Sequence, residues 1–336
     1  MKKLQKKFDK SNIFEIIENL PNQFLQAFSD TKIKINQNTE KIIFCGMGGS
    51  ALPVNIVKTY LTQTKTNSDI TIQINRGYTL PKNINSSWCG FFMSYSGNTE
   101  ETLSAIKEAK QKNLSQIIIM SHGGKLEAIA RENDYTFIKI PNFKQPRMAY
   151  GYFVGAILKI FHNSSLITLD LNELKQDINE ILKENNKLQE SAIDLAKKSK
   201  KKIPIIYTTD QWKYVAMIWK INFNENSKTQ SFWNAIPEMN HNELVGYTKI
   251  LAKYHIYILQ DPNEHKQNLK RIKILQTLLK EKTEISLIEM PTKSSFYKIV
   301  YSLSLGLYIS YYLALLYKID PTPVEIVEKF KKLLEE

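Results

Sequence analysis

The stretch CGFFMSYSGNTEET, residues 89–102, decides the fold. Its opening residues are apolar or small and suit a buried strand, and SGN is turn chemistry. TEET then opens a helix with acidic residues in the first turn, where the helix dipole favours them. An apolar strand that runs through a small-residue turn straight into a helix is half of a βαβ unit. The first half of the chain repeats that rhythm in KIIFCGM, DITIQIN, QIIIMS and YTFIKIP, so it predicts a parallel sheet flanked by helices. Beyond residue 200 the theme returns in IPIIYTT, HIYILQD and EISLIEMP. Helices are expected there at 214–222 and 266–280, with a long apolar one ending at Tyr317. An amphipathic helix over 13–28 opens the chain, and the polar helical stretch 170–200 reads as a connector.

The chain has 336 residues, more than one core comfortably serves, and no fixed-period repeat. The expected organisation is an N-terminal α/β domain over 1–168, a connecting helix over 169–199 and a C-terminal α/β domain over 200–336. With 43% hydrophobic and 24% charged residues the composition is that of a globular protein, not a disordered one. Residues 301–317 are apolar but shorter than a bilayer requires and rich in serine and tyrosine, which predicts a buried core helix and no membrane span. The net charge of +13 is spread along the chain. Its densest run, KKSKKK at 197–202, lacks interleaved aromatics, so a solvated helix end is expected and not a nucleic-acid surface. Such a positive field also favours a small anionic substrate. The basic N-terminus has no apolar segment behind it, which argues against a signal peptide. Cys45 and Cys89 sit in apolar strands without metal-ligand spacing, as buried free thiols of a reducing compartment would.

Two loops carry a candidate chemistry. GMGGS, residues 46–50, follows a strand and precedes a helix, where glycines admit a ligand close to backbone N–H groups at the positive end of a dipole. It is neither a P-loop nor a dinucleotide fingerprint, and by itself it reads equally well as a structural turn. SYSGNTEET, residues 94–102, adds the hydroxyls of Ser94, Ser96 and Thr99, a neutral cradle suited to phosphate oxygens. A capping box would account for one of those hydroxyls but not for three.

Taken together, GMGGSA, SYSGNTEET, SHGGKLEAIA, PRMAYGYF, NENSK and PEMNHNELVG occur in an order that resembles the sugar isomerase (SIS) domain proteins, and among them the bifunctional phosphoglucose/phosphomannose isomerases. The resemblance covers nearly the whole chain. It implies an α/β fold of two SIS-type (flavodoxin-like) domains, and a cytoplasmic enzyme that interconverts glucose 6-phosphate or mannose 6-phosphate with fructose 6-phosphate through a cis-enediolate. Neither metal nor other cofactor is expected. The phosphate site then falls on Gly49, Ser50, Ser94, Ser96 and Thr99.

The resemblance also assigns the chemistry. Arg147 of PRMAYGYF, otherwise readable as an exposed cap beside Pro146, becomes the cation that stabilises the enediolate. Glu225 of NENSK becomes the base that moves a proton between C1 and C2. His241 of PEMNHNELVG becomes the ring-opening acid or base, delivered to the neighbouring subunit of a homodimer; read alone it is a loop histidine flanked by Glu238 and Glu243, which compete for the base role. A C-terminal lysine assisting ring opening falls on Lys331, with Lys329 the alternative. One departure is His122 in SHGGKL, where the family usually has a small hydroxyl residue. The competing readings are a non-catalytic phosphosugar-binding regulator and an SIS isomerase of another sugar phosphate. The regulator does not need Glu225, His241 and Arg147 together, and the other isomerase should lack the NENSK and PEMNHNE pair.

Overall fold

A computed structural model describes residues 1–64 and 70–335. Asp69, at which the second expected strand begins, and Glu336, the last residue of the C-terminal helical stretch, lie outside the described residues. The chain divides into two compact units, Asn19–Glu180 and a second made of Met1–Glu18 with Ile181–Glu336.

The first unit is a five-stranded sheet of β1 (Lys41–Gly46), β2 (Thr71–Asn75), β3 (Cys89–Ser94), β4 (Gln116–Ser121) and β5 (Thr136–Lys139). The order is β2-β1-β3-β4-β5, with every pair parallel. The central strands β1, β3 and β4 are apolar runs buried on both faces, as a parallel sheet covered by helices requires. Helices Gly48–Gln63, Glu100–Gln111 and Gly124–Glu132 follow β1, β3 and β4 after short turns. Leu20–Asp30 and Tyr150–Asn163 pack on each other. The buried amide of Gln23 joins them by donating to Met148 O (2.7 Å) and accepting from Tyr152 N (3.3 Å).

The second unit has four parallel strands, β6 (Ile203–Thr209), β7 (Phe232–Ile236), β8 (Tyr254–Gln260) and β9 (Glu284–Glu289), in the order β7-β6-β8-β9. Strand β7 was not among the expected strands. FWNAI is a five-residue edge strand, exposed at Phe232 and buried only at Ala235 and Ile236, so its apolar pattern is short.

The opening and connecting helices also differ from expectation. Pro21 starts a new helix, so the predicted 13–28 helix is two, Ile13–Glu18 and Leu20–Asp30, which fall in different units. The first eighteen residues belong with the second unit because they cover its long apolar helix, Ser295–Leu316. Asp9 accepts the Tyr311 hydroxyl (3.0 Å), and the Phe14 ring lies 5.5–6.4 Å from those of Tyr308, Tyr311 and Tyr312. The expected connector is likewise two helices, Leu171–Lys183 and Asn185–Ser199. The latter is packed, burying Leu188, Ala192 and Ala196, with Asn185 and Gln189 accepting the Tyr308 and Tyr312 hydroxyls at 2.9 and 3.2 Å.

Helix Ser295–Leu316 is long and apolar enough to cross a membrane, yet 89% of its most apolar window is buried in the protein. Its tyrosines explain why it suits a core: each inward phenol meets a polar partner, which relieves the penalty of burying an unpaired hydroxyl. Both cysteines are free and buried, and burial pushes their thiols up to about 12.

His255 on β8 is fully buried between Ser199 (2.6 Å) and Ser286 (2.9 Å), and burial beside Lys202 and Lys198 depresses it to about 3. An unfolded histidine takes up its proton near pH 6.5, whereas this one does not. Stability should therefore be full above pH 6.5 and fall as pH drops, by about 1.4 kcal/mol per unit from this group. Denaturant titrations between pH 7 and 5 should show that slope, and His255→Asn should flatten it.

Candidate active site

The first sheet turns back on itself between β1 and β3. The chain leaves β1 for β2 on one side and resumes at β3 on the other, so the loops after β1 and β3 diverge and leave a crevice at the strand ends. These two loops are GMGGS and SYSGNTE. The order fits the expected flavodoxin-like arrangement and puts both phosphate-loop candidates at one place.

Three hydroxyls converge in the β3 loop. Ser94 Oγ lies 2.8 Å from Thr99 Oγ1 and 3.4 Å from Ser96 Oγ, and it accepts the Gly97 N–H at 3.1 Å. Ser94 is buried, Thr99 half-buried and Ser96 exposed, so the cluster runs from the interior to the surface. Hydroxyls that bond to one another can each turn a proton onto one oxygen-rich anion. Helix Glu100–Gln111 starts behind them with no side-chain cap. The capping-box reading of Thr99 therefore fails, and the first-turn N–H groups point the positive end of the dipole at the same spot.

The β1 loop completes the cradle. Ser50 Oγ accepts the Tyr95 N–H at 2.9 Å, which leaves its own proton to donate. Two glycines are fixed by space. A Cβ on Gly97 (φ +72°) would lie 1.7 Å from Gly123 O, and one on Gly49 would lie 2.8 Å from Arg147 N. The second contact seats the β1 loop directly against the backbone of the predicted catalytic arginine. Arg147 lies in a single 3-10 turn, Pro146–Met148, is 1% exposed, and donates from Nη1 to Gln145 Oε1 at 3.3 Å. It is not an exposed cap.

Gly49, Ser50, Ser94, Ser96, Thr99 and Arg147 are thus brought together in the first unit, whereas the other predicted residues lie in the second. Glu225 is half-buried in the last turn of helix Lys213–Asn226, which runs further than the expected 214–222. Lys228 donates to its carbonyl and to Pro321 O (3.0 Å), fastening that helix end. His241 is exposed at the end of the 3-10 helix Glu238–His241. Its two acidic neighbours behave differently. Glu243 accepts from the Tyr207 hydroxyl (2.5 Å) and Asn234 Nδ2 (2.6 Å), and Tyr207 in turn meets Tyr247 (2.6 Å). That network, with both phenols pushed upward chiefly by burial, makes Glu243 an anchor for the loop. Glu238 is exposed and holds Asn242 at 2.8 Å. Lys331 and Lys329 are exposed on helix Glu325–Glu335, Lys331 pairing with Glu328 at 2.9 Å.

Among the described residues no three His, Cys, Asp or Glu side chains form a metal-ligand group. The residue that the sequence reading passed over is Tyr95. It stood inside the recognised loop as a spacer between two serines, and only its contacts give it a role.

The model of the bacterial phospho-glucose isomerase C-terminal SIS domain matches residues 188–334. A bifunctional phosphoglucose/phosphomannose isomerase from Caldicellulosiruptor bescii is 34% identical across 96% of this chain and 99% of its own length. One of the same name from Aquifex aeolicus is 30% identical across 96% and 98%. Among solved structures, the C-terminal domain of glucosamine-fructose-6-phosphate aminotransferase from Francisella tularensis superposes with a TM-score of 0.72 at 14% identity, covering 93% of this chain and 98% of that one. It shares the α/β fold.

A hydrogen bond to a charged partner contributes about 1.5–3 kcal/mol, so Thr99→Val should weaken the binding of inorganic phosphate roughly tenfold or more. Calorimetric titration of the variant against the wild type measures it; equal affinities would remove Thr99 from the cradle.

Proposed function

The chain belongs to the family of bifunctional phosphoglucose/phosphomannose isomerases, and we propose that it interconverts both glucose 6-phosphate and mannose 6-phosphate with fructose 6-phosphate, without a metal, through a cis-enediolate. It is an isomerase of hexose phosphates. The observation that carries the reading is a hydroxyl-lined anion cradle built against the backbone of a buried arginine.

In this mechanism the 6-phosphate is held by the hydroxyls of Ser50, Ser94, Ser96 and Thr99 with the N–H groups near Gly49. A neutral grip anchors the dianion by hydrogen bonds and leaves the fixed cation for the sugar end. His241 and Lys331 pass protons to and from the ring oxygen and the C1 or C2 hydroxyl, which opens the sugar to its carbonyl form. Glu225 removes the proton from the carbon next to the carbonyl, and the electrons move onto oxygen as a cis-enediolate. The Arg147 guanidinium stabilises that charge where it develops. The same carboxyl returns the proton to the neighbouring carbon, so one base serves both directions. Return to either face of C2 yields the two aldoses.

The same reading makes the protein a homodimer in which His241 serves the neighbouring subunit. Two features support it: His241 is exposed on its own chain, and helix Glu325–Glu335 exposes Ile326, Phe330, Leu333 and Leu334. It also makes the enzyme cytoplasmic, serving glycolysis and gluconeogenesis, to which its buried reduced thiols are suited.

Incubation with fructose 6-phosphate, with both aldoses resolved, tests the reading; both should appear, and turnover should survive exhaustive chelation. General base catalysis is worth about 10²- to 10⁴-fold, so Glu225→Gln should lose at least a hundredfold in kcat while still binding phosphate. Turnover near wild type in that variant would remove Glu225 from the base role.

A further inference from the structure

We propose that Tyr95 and His122 are positioning residues for Arg147, together clamping the segment 140–145 whose last residue holds the guanidinium. The inference rests on the isomerase reading above, and it gives a use to His122, which the mechanism leaves idle.

Tyr95 is tied at both ends. Its backbone N–H bonds to Ser50 in the cradle (2.9 Å), whereas its hydroxyl accepts the Phe143 N–H (2.7 Å) and donates to Asn142 Oδ1 (3.3 Å). A phenol that donates and accepts on adjacent residues of one loop fixes the position and direction of that loop. His122 stands beside it after β4, where strand register pairs Ser94 with Ser121. Its N–H donates to Tyr95 O (3.0 Å), and its ring stacks on the Tyr95 ring with centroids 5.5 Å apart and planes 11° from parallel. His122 Nδ1 is 2.8 Å from Ile140 O; a carbonyl only accepts, so the proton is on Nδ1. Nε2 makes no hydrogen bond to any described residue.

From those anchors a short rigid path leads to the arginine. Asn142 Oδ1 also accepts Lys144 N (3.0 Å), Gln145 N bonds to Phe143 O (2.7 Å), and Met148 N bonds to Gln145 O (2.9 Å). The Gln145 side chain then receives Arg147 Nη1 (3.3 Å). Ile140, Phe143 and Asn142 are thus each held by a residue of the clamp, and the guanidinium is held by the last residue of the clamped segment.

The account separates grip from turnover. The cradle hydroxyls bind the phosphate whether or not segment 140–145 is held, while Arg147 acts on the charge that develops during reaction. Tyr95→Phe keeps the ring and removes only the hydroxyl. It should lower kcat for fructose 6-phosphate at least tenfold while the Kd for sorbitol 6-phosphate, which has the phosphate but no carbonyl, stays within twofold. His122→Ala should lose turnover in the same way. His122→Asn, whose amide N–H can replace Nδ1 as donor to Ile140, should recover most of it. Amide hydrogen exchange over 140–147 should quicken in Tyr95→Phe. Unchanged exchange overturns the clamp whichever sugar is turned over. Faster exchange with unaltered kcat overturns its positioning role, as does a loss confined to Kd. A wild-type protein that binds the hexitol phosphate but isomerises nothing instead overturns the isomerase reading.

Discussion

The hydrogen bond from Tyr95 N–H to Ser50 Oγ joins the ends of β1 and β3 where the first sheet reverses its strand order, and the site is organised around it. Two diverging loops could each hold a few donors without agreeing on a common target. Because Ser50 accepts from the backbone of the β3 loop, the two loops are tied together beside the Ser94, Ser96 and Thr99 hydroxyl cluster. The glycines serve the same closure, since Gly97 lies under Gly123 O and Gly49 lies against the Arg147 backbone with no room for a side chain at either.

The proposed phosphate grip relies on no lysine. A dianionic phosphate gripped by a mobile ammonium would place the strongest charge at the unreactive end of the substrate, whereas in the proposed mechanism hydroxyls and N–H groups hold it by direction. The fixed cation, Arg147, is buried and held at its side chain by Gln145. Preorganisation of that kind is where electrostatic catalysis gains most, and in the proposed mechanism the charge of Arg147 need not move when the enediolate forms. Glu243 shows the contrasting case: a carboxylate in the right motif whose oxygens are already taken by Tyr207 and Asn234, so it supports the loop that bears His241.

The parallel sheets and the candidate phosphate loops are legible in the sequence because both are local: an apolar run, a small-residue turn and a helix start lie within a dozen residues. Strand β7 is not legible, since FWNAI is short, lies at an edge and buries only its last two residues. The break at Asn19 is written in Pro21, but nothing local says that Phe14 packs among three tyrosines some three hundred residues away. For the same reason the motifs single out Arg147 and Glu225 as candidates, while the contacts of Tyr95, Asn142 and Gln145 appear only in space. His122 reads as a departure in the alignment of motifs and as a strut in the fold.

Proton transfer through an enediolate is the central claim, and isomerisation in deuterium oxide tests it most directly. A base that exchanges with solvent between removing and returning the proton should leave deuterium at C2 of both glucose 6-phosphate and mannose 6-phosphate formed from fructose 6-phosphate. Aldose products still free of deuterium at C2 after many rounds of interconversion would contradict the account, because a proton carried by a carboxyl exchanges with solvent in some fraction of turnovers, whereas a hydrogen that passes directly between the carbons never does.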